Sequence, residues 1–408
     1  MPVTLYPASS PIYLDGHATT PLAPEAEAAM ASWWRTNAAN AHSPHGGGHR
    51  AAMAVETARQ DIADLIGAAP NELIFTSGAT EANAIALLGT AKAARQRNEP
   101  RRRIVISAIE HKSVLEAATE LAREGFEVLH TPVGADGVID LETLKAQVDH
   151  TTLLVSVMAA NNEVGVLQPL DAVVSIARSA GAITHTDASQ MVGKLPADLG
   201  DFDLASLSSH KMYGPVGVGA LFMSSACALR PLPLFAGGMQ EQGIRPGTLP
   251  VPLIVGFGAA ARLAKGRLVS DADAARAMTG RLTDALRDLG LEFEINGSIA
   301  DRLPGSLNIR IPGCFGSSIV SRLNNSVYLS EGSACTSGQI MESHVLLAMG
   351  LTEAEASECV RIYCGRYNTE SEIDAAASRI AAAAHEEILA RWAKRPVGSE
   401  NERRPLRV

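Results

Sequence analysis

Short apolar runs alternate with helical stretches from about residue 73 to residue 223 of the chain. The runs have the length and composition of β-strands and lie at residues 73–75, 103–107, 153–158, 182–186, 204–207 and 219–223. Strands that alternate with helices in this way form a mostly parallel sheet with helices on both faces. Binding sites in such sheets form where strands end and loops begin. We therefore expect the functional residues in the loops that follow these runs.

The flanking segments predict a second, smaller domain. The N-terminal part predicts a strand at 12–14, a helix at 24–34, a loop at 37–48 and a helix at 50–66. The C-terminal part predicts a helix at 259–290, strands at 291–295, 306–311 and 327–329, and helices at 343–349 and 370–393. We expect a large domain at 15–258, a small domain formed by 1–14 and 259–393, and a flexible tail at 394–408.

Composition and charge exclude several classes of protein. The chain has 408 residues, of which 46% are hydrophobic and 19% are charged, as in an ordinary soluble enzyme. Its formal net charge of −9 argues against a dedicated nucleic-acid-binding protein, because that function needs a basic surface. The apolar stretches are far shorter than the ~20 residues of a membrane helix, and the N-terminus lacks the pattern of a signal peptide. These features predict a cytoplasmic protein.

The five cysteines are widely scattered, odd in number and without CxxC spacing. This pattern predicts neither a disulfide framework nor a metal site, and it is typical of a reducing compartment in which a free thiolate can react. Small polar residues flank Cys335 in a predicted flexible loop. That setting suits a mobile nucleophile, and it also suits a chance surface cysteine.

Three of the loops that follow predicted strands offer groups for a planar, phosphorylated cofactor. The small-residue turn before Thr80 opens a helix, where amide hydrogens favour a phosphate, although an ordinary helix cap explains it as well. His111 suits stacking on a planar ring or simple packing in its loop. Asp187 ends an apolar strand, where a carboxylate needs a partner. The partner of this carboxylate would be either the pyridinium nitrogen of a cofactor or the N-terminus of a following helix.

Lys211 and Arg361 complete the set of candidate side chains. Lys211 directly follows a buried type of strand in Gly-rich surroundings, which suits an amine that bonds covalently to a carbonyl cofactor. A surface lysine in a turn is the alternative. Arg361 stands between apolar residues, where a guanidinium meets either a substrate carboxylate or a structural ion-pair partner.

Taken in order, the segments that carry these residues resemble the cysteine desulfurases of aminotransferase class V, on the branch that serves iron–sulfur cluster assembly and nitrogenase maturation. The resemblance runs from residues 13–21 to residues 365–370, with further matches at 161–165, 245–250 and 343–346. It implies the α/β fold of the transferases that depend on pyridoxal 5′-phosphate (PLP), fold type I. In that fold a large domain contains a mostly parallel seven-stranded sheet, and a smaller C-terminal domain is α+β.

The resemblance also implies a role for each matched residue. Lys211 would hold PLP covalently and act as the base, His111 would stack on the ring and move protons, and Cys335 would take the sulfur. The other cofactor contacts would be Asp187 at the pyridine nitrogen, Gln190 at the ring hydroxyl, and Ala79, Thr80, Ser208 and His210 at the phosphate. Thr248 would reach the cofactor of the partner subunit in a homodimer. The substrate carboxylate would contact Asn162 and Arg361, with Asn40 near it.

The implied reaction converts L-cysteine to L-alanine and leaves a persulfide on Cys335. The sulfur would then pass to an acceptor protein, such as an iron–sulfur scaffold or a component of tRNA thiolation. The alternatives are a selenocysteine lyase, a desulfurase dedicated to DNA phosphorothioation, and a scaffold that has kept the fold without the activity. Two places depart from the common pattern. His17 stands where small residues are usual and would add a donor near the substrate carboxylate. The pair Tyr363-Cys364 replaces a smaller, apolar pair beside Arg361, and Cys364 is either a packing residue or a second thiol near the site.

Overall fold

The computed structural model describes residues 10–332 and 342–393, so Cys335 and the predicted tail lie outside the described residues. The described residues form two compact units. The larger unit is His17–Ala272 together with Gly297–Leu303. The smaller unit contains Gly16 and the described residues before it, Asp273–Asn296, and the described residues from Pro304 onward.

The elements of the described residues follow the predicted alternation. The strands are β1 (Ile12–Tyr13), β2 (Leu73–Thr76), β3 (Arg103–Ser107), β4 (Glu127–Thr131), β5 (Thr152–Ser156), β6 (Ile183–Asp187), β7 (Leu204–Ser208), β8 (Gly219–Met223), β9 (Glu294–Ile295), β10 (Ser306–Arg310), β11 (Val327–Tyr328) and β12 (Cys359–Tyr363). The α-helices are α1 (Pro24–Arg35), α2 (Gly46–Ile66), α3 (Ala79–Ala84), α4 (Thr90–Gln96), α5 (Lys112–Arg123), α6 (Leu141–Gln147), α7 (Leu170–Ser179), α8 (Val251–Asp288), α9 (Gly316–Leu323), α10 (His344–Ala348), α11 (Glu353–Ala356) and α12 (Glu370–Ala393).

The larger unit contains the predicted seven-stranded, mostly parallel sheet, and this prediction is confirmed. Its strand order is β2-β8-β7-β6-β5-β3-β4. Only β8 runs antiparallel to its neighbours, so β2, β3, β5, β6 and β7 all end at the same edge. Parallel sheets bury both faces, which explains why β2, β5, β6, β7 and β8 are buried at every residue.

Alternation along the strands sorts apolar side chains into two core clusters. Leu73 and Phe75 of β2 belong to one cluster, whereas Ile74 between them belongs to the other. Leu221 and Phe222 of β8 likewise belong to different clusters. Because successive side chains of a strand point to opposite faces, each cluster lies on one face of the sheet. This packing holds the strand ends at fixed positions along the shared edge.

The smaller unit contains two short sheets and their covering helices. β10 lies between β12 and β9 with antiparallel pairing, and β1 pairs in parallel with β11. Their apolar side chains pack with those of α8, α9 and α12 in one core cluster that includes Leu282, Ile309, Ile362 and Ile380. Within the described residues, no helix is both long enough and apolar enough to cross a lipid bilayer.

Several elements differ from the prediction, among them the following. α8 begins at Val251, eight residues before the predicted start at 259. Its first turn contains Pro252, which the first turn of a helix tolerates because the missing N–H has no helical partner there. The predictions also missed β4, a partly exposed edge strand, and β12, in which Arg361 interrupts the apolar run.

Candidate active site

The structure brings the predicted PLP-binding residues to the shared edge of the sheet. Asp187 is the last residue of β6, and Ser208 is the last residue of β7. A short 3₁₀ turn, Ser209–Lys211, follows β7 directly and carries His210 and Lys211. His111 stands at the N-cap of α5, after β3. The topology of parallel strands therefore places these side chains along one line of loops.

Lys211 and Gln190 meet at the backbone of His17. The half-buried Lys211 Nζ donates to the carbonyl oxygen of His17 and, at 2.7 Å, to that of Ala18. Gln190 Nε2 donates to the same His17 carbonyl at 3.0 Å. The Oε1 atom of Gln190 lies 3.1 Å from His17 Nδ1 and accepts from Lys194 Nζ at 2.9 Å. The amide of Gln190 is therefore held from both ends, and the His17 ring contacts Gln190.

Asp187 is buried and anchored at both carboxylate oxygens. Its Oδ2 accepts from Asn83 Nδ2 at 2.8 Å, and its Oδ1 accepts from the backbone N–H of Ser189 at 3.0 Å. The alternative in which Asp187 caps a following helix is wrong, because residues 188–203, all of them described, contain no helix. The carboxylate is a fixed acceptor at the end of a central strand.

Glu110 is fully buried near Asp187. Burial, and then the negative charge of Asp187, raise the pKa of the Glu110 carboxyl well above its usual range. Its Oε1 accepts from the backbone N–H of Met158 at 2.6 Å. The surroundings therefore favour the neutral form of Glu110 beside the Asp187 carboxylate.

His185, two residues before Asp187 on β6, is a second buried titratable group. Its Nδ1 lies 2.8 Å from Ser156 Oγ and its Nε2 lies 3.1 Å from Ser206 Oγ. Burial lowers the pKa of His185 to about 4, and the charge of Asp187 offsets only part of this effect. The imidazole is therefore neutral in the folded protein at neutral pH.

The low pKa of His185 predicts a loss of stability in mild acid. Between about pH 6.5 and about pH 5 an unfolded histidine binds a proton and folded His185 does not, so stability falls as the pH falls. The expected contribution is at most about 1.4 kcal/mol per pH unit. Urea unfolding at both ends of this range should show a smaller pH dependence for His185→Asn than for the wild type. An equal pH dependence in the two proteins would contradict the prediction.

The predicted phosphate-binding residues lie in neighbouring backbone segments. Gly219 pairs with Ser208 across β8 and β7, and a Cβ atom added at Gly219 would lie 2.7 Å from the Cα of Gly78. Gly78 itself has a φ of +153°, a conformation that favours glycine. Glycine at both positions lets the turn before Ala79 and Thr80 approach the end of β7. The turn and Ser208 thus share one side of the sheet edge.

Ser208 and His210 have properties that suit an anionic ligand. The Ser208 Oγ atom is buried and has no hydrogen-bond partner among the described residues. Buried hydroxyls are almost always hydrogen-bonded, so this atom is suited to a ligand acceptor such as a phosphate oxygen. Burial, with the positive charges of Lys211 and Lys194, lowers the pKa of His210 to about 4. Neutral His210 keeps one ring N–H as a donor.

The positions of three other predicted site residues of the larger unit do not by themselves indicate a role. Asn40 is exposed in its loop, where its Oδ1 accepts from the backbone N–H of His42 at 2.9 Å. Thr248 is also exposed. Asn162 is buried in a turn in which Asn161 Oδ1 accepts two backbone N–H groups. The roles of Asn40, Asn162 and Thr248 stay predictions.

Arg361 lies in the smaller unit, in the middle of β12. Its side chain is 3% exposed and forms an ion pair with Asp15, with Nη2 and Oδ1 at 2.9 Å. A structural ion pair was one of the two alternatives for this residue, and the structure contains it. The assignment of Arg361 to a substrate carboxylate stays a prediction.

The four described cysteines are all buried and reduced. Burial is the largest cause that raises the pKa of Cys227, Cys314 and Cys359 to about 11 and that of Cys364 to about 12. Cys364 is fully enclosed in the core of the smaller unit, which favours the packing interpretation over a second reactive thiol. Cys335 lies outside the described residues.

Several polar residues beside the site were missed by the sequence predictions. They are Asn83, Glu110, Ser113, His185 and Lys194. The bonds from Ser113 to His111 and from Lys194 to Gln190 are local in the chain. The bonds of Asn83 to Asp187 and of Glu110 to Met158 join residues far apart in the chain, and no local spacing predicts them.

Comparison with known proteins identifies the family of the chain. The model of the aminotransferase class-V family matches residues 12–376. Cysteine desulfurase IscS of Rickettsia bellii is 44% identical over 373 residues, which are 91% of this chain and 90% of that protein. A solved NifS-like protein has a TM-score of 0.84 and 36% identity, over 93% of this chain and 99% of that one. The structure of SspA in complex with cysteine has a TM-score of 0.76 and 33% identity, over 88% of this chain and 100% of that one. The chain belongs to the aminotransferase class-V family.

Proposed function

We propose that this protein is a PLP-dependent cysteine desulfurase that converts L-cysteine to L-alanine and places the sulfur on Cys335. The observation that carries the proposal is the joint placement of Lys211, Gln190 and Asp187 at one sheet edge, beside the unpartnered hydroxyl of Ser208. The relatives support the same chemistry, since one is a cysteine desulfurase and another binds cysteine.

The residues at the sheet edge fit PLP. A buried carboxylate, Asp187, suits a protonated pyridine nitrogen. The hydroxyl of Ser208, the neutral ring of His210 and the turn at Ala79 and Thr80 suit a phosphate. When bound, PLP withdraws electrons from the substrate Cα and makes its proton acidic.

The chain supplies the groups that hold the reactants and move protons. Lys211 would hold the cofactor covalently through Nζ, and the same amine, when free, would take the Cα proton. The negative charge of Asp187 would keep the pyridine nitrogen protonated, and two hydrogen bonds hold that carboxylate in place. His111 would supply a second group that donates or accepts protons. Gln190 would orient the ring through its amide, which is hydrogen-bonded at both ends.

Cys335 is the thiol that accepts sulfur in this proposal. Its thiolate attacks the substrate Sγ, the substrate C–S bond breaks, and the electron pair of that bond stays on carbon. Carbon then takes up a proton, so cysteine and the Cys335 thiol become alanine and a Cys335 persulfide without an outside oxidant. The persulfide sulfur passes by thiol exchange to an acceptor protein. Assembly as a homodimer, to which exposed Thr248 would contribute, belongs to the same proposal.

The experiment that tests the activity is a substrate comparison. Purified protein loaded with PLP is incubated with L-cysteine or with L-selenocysteine, and alanine and protein-bound sulfur are measured. We expect alanine from L-cysteine together with one persulfide per active site. Alanine released much faster from selenocysteine would indicate a selenocysteine lyase. Failure to release alanine from either substrate would contradict both activities and leave a scaffold without activity.

A further inference from the structure

We propose that Asn83 and Ser113 are positioning residues that hold His111 with its ring proton on Nε2 and connect it to Asp187. The tautomer follows from the contacts alone, whereas its catalytic consequence rests on the proposed function. Three hydrogen bonds form the connection, and we call the four side chains His111, Ser113, Asn83 and Asp187 the His111 relay.

The orientation of the Asn83 amide is set by Asp187. Asn83 is fully buried, and its Nδ2 lies 2.8 Å from Asp187 Oδ2 and 2.9 Å from Ser113 Oγ. A carboxylate only accepts hydrogen bonds, so the nitrogen and not the oxygen of the amide must face Asp187. The amide nitrogen has two hydrogens, and one is directed to each of these neighbours.

The direction of the Ser113 hydroxyl follows from the first bond. Because Ser113 Oγ accepts a hydrogen from Asn83, its own hydrogen is available for another acceptor. His111 Nδ1 lies 2.8 Å from Ser113 Oγ and takes that hydrogen. Ser113 is the middle of the His111 relay, with one bond to each side.

A second donor fixes the tautomer of His111. The backbone N–H of Ser113 points at the same Nδ1 atom at 3.2 Å, since His111 is the N-cap of α5. A backbone N–H cannot accept a hydrogen bond, so a proton on Nδ1 would face another proton. His111 therefore carries its proton on Nε2 and presents that nitrogen as a donor.

This arrangement gives each member of the His111 relay a distinct effect. Asp187 orients Asn83, Asn83 orients Ser113, and Ser113 fixes the ring of His111. In the proposed reaction His111 then meets the reactants first as a hydrogen-bond donor through Nε2–H, which complements Lys211 as the base. Asn83 and Ser113 act through His111 and touch no reacting atom in this scheme.

The proposal is tested by measuring the tautomer of His111 by NMR in the PLP-loaded protein. The 11 histidines are labelled with ¹⁵N, and His111→Gln identifies the signal of His111 in long-range ¹H–¹⁵N spectra. We expect the Nε2–H tautomer in the wild type. Ser113→Ala removes the shorter of the two bonds to Nδ1 and leaves the backbone bond of 3.2 Å, so it should raise the share of the Nδ1–H tautomer above that of the wild type. Ser113→Thr keeps the hydroxyl and should keep the wild-type signal. Asn83→Ala should act in the same direction as Ser113→Ala.

Kinetics provide the second measurement. We expect Ser113→Ala to lower kcat about 10-fold, the ordinary effect of one hydrogen bond, with little change in KM. Ser175→Ala, an exposed serine on α7, is the matched control and should match the wild type. An Nδ1–H signal in the wild type, or an unchanged signal in Ser113→Ala, would overturn the proposal. The wild-type spectrum decides the tautomer even if a variant does not fold or if the protein proves inactive toward cysteine.

Discussion

Replacing Lys211 with alanine is expected to abolish the formation of alanine from L-cysteine. The variant loses both the amine that holds PLP and the base that takes the Cα proton. A positioned general base alone is worth up to about 10⁴-fold, so kcat/KM should fall by at least that factor. Released alanine and the visible absorbance of PLP that stays bound after gel filtration are the two measurements.

Two further variants separate the chemistry of the Lys211 amine from its charge and from general effects of losing a lysine. Lys211→Arg keeps a positive charge near the carbonyls of His17 and Ala18, but its guanidinium stays protonated and cannot react with a carbonyl. It should be as inactive as Lys211→Ala. Lys265→Ala removes a half-exposed lysine 3.6 Å from Asp64 and should keep the wild-type rate. Normal turnover in Lys211→Ala would refute the proposed mechanism.

The elements that the sequence predicted best are those whose own residues show a regular apolar pattern. α12 was predicted at 370–393 and is observed at Glu370–Ala393, because its apolar periodicity is regular. β3 and β8 were predicted with their observed bounds, since continuous apolar runs mark strands buried on both faces. β4 was missed because an edge strand buries only part of its length, and its sequence therefore alternates irregularly.

The site could be predicted only in part, because many of its contacts join residues that are far apart in the chain. Asp187 and Lys211 end strands or follow them, so their positions at the sheet edge followed from the fold class. The contacts around them did not follow. Asn83 reaches Asp187 across 104 positions of the chain, and His17 meets Gln190 across 173. Such contacts depend on how helices and loops pack on the sheet, and no local pattern encodes them.

Burial divides the ionisable residues of the site into neutral and charged groups. Glu110 and His185 are fully enclosed, and burial shifts both pKa values toward the neutral form. His210 is also shifted toward the neutral form, by burial and by neighbouring lysines. Neutral neighbours avoid competing ion pairs, and within the described part of the chain the Asp187 carboxylate bonds to two neutral N–H donors, those of Asn83 and Ser189. A carboxylate held in this way is suited to a cationic ring nitrogen.

Replacing Cys335 with alanine is expected to eliminate the transfer of sulfur to the protein while PLP absorbance is retained. The sequence contains five cysteines, and the four described ones are buried with pKa values of about 11 or about 12. At neutral pH a thiol with a pKa of about 11 is a thiolate in about 1 of 10⁴ molecules, and one with a pKa of about 12 in about 1 of 10⁵. The thiolate is the nucleophile.

Mass spectrometry after exposure to L-cysteine measures this outcome directly. The wild type should gain the mass of one sulfur atom on the peptide that contains Cys335, and Cys335→Ala should gain none. Cys364→Ala is the matched control, because Cys364 is enclosed in an apolar core and should have no part in the transfer. Sulfur found on Cys335→Ala would mean that one of the buried thiols becomes exposed during turnover. If the double variant Cys335→Ala/Cys364→Ala then lost that sulfur, Cys364 would be identified as its acceptor.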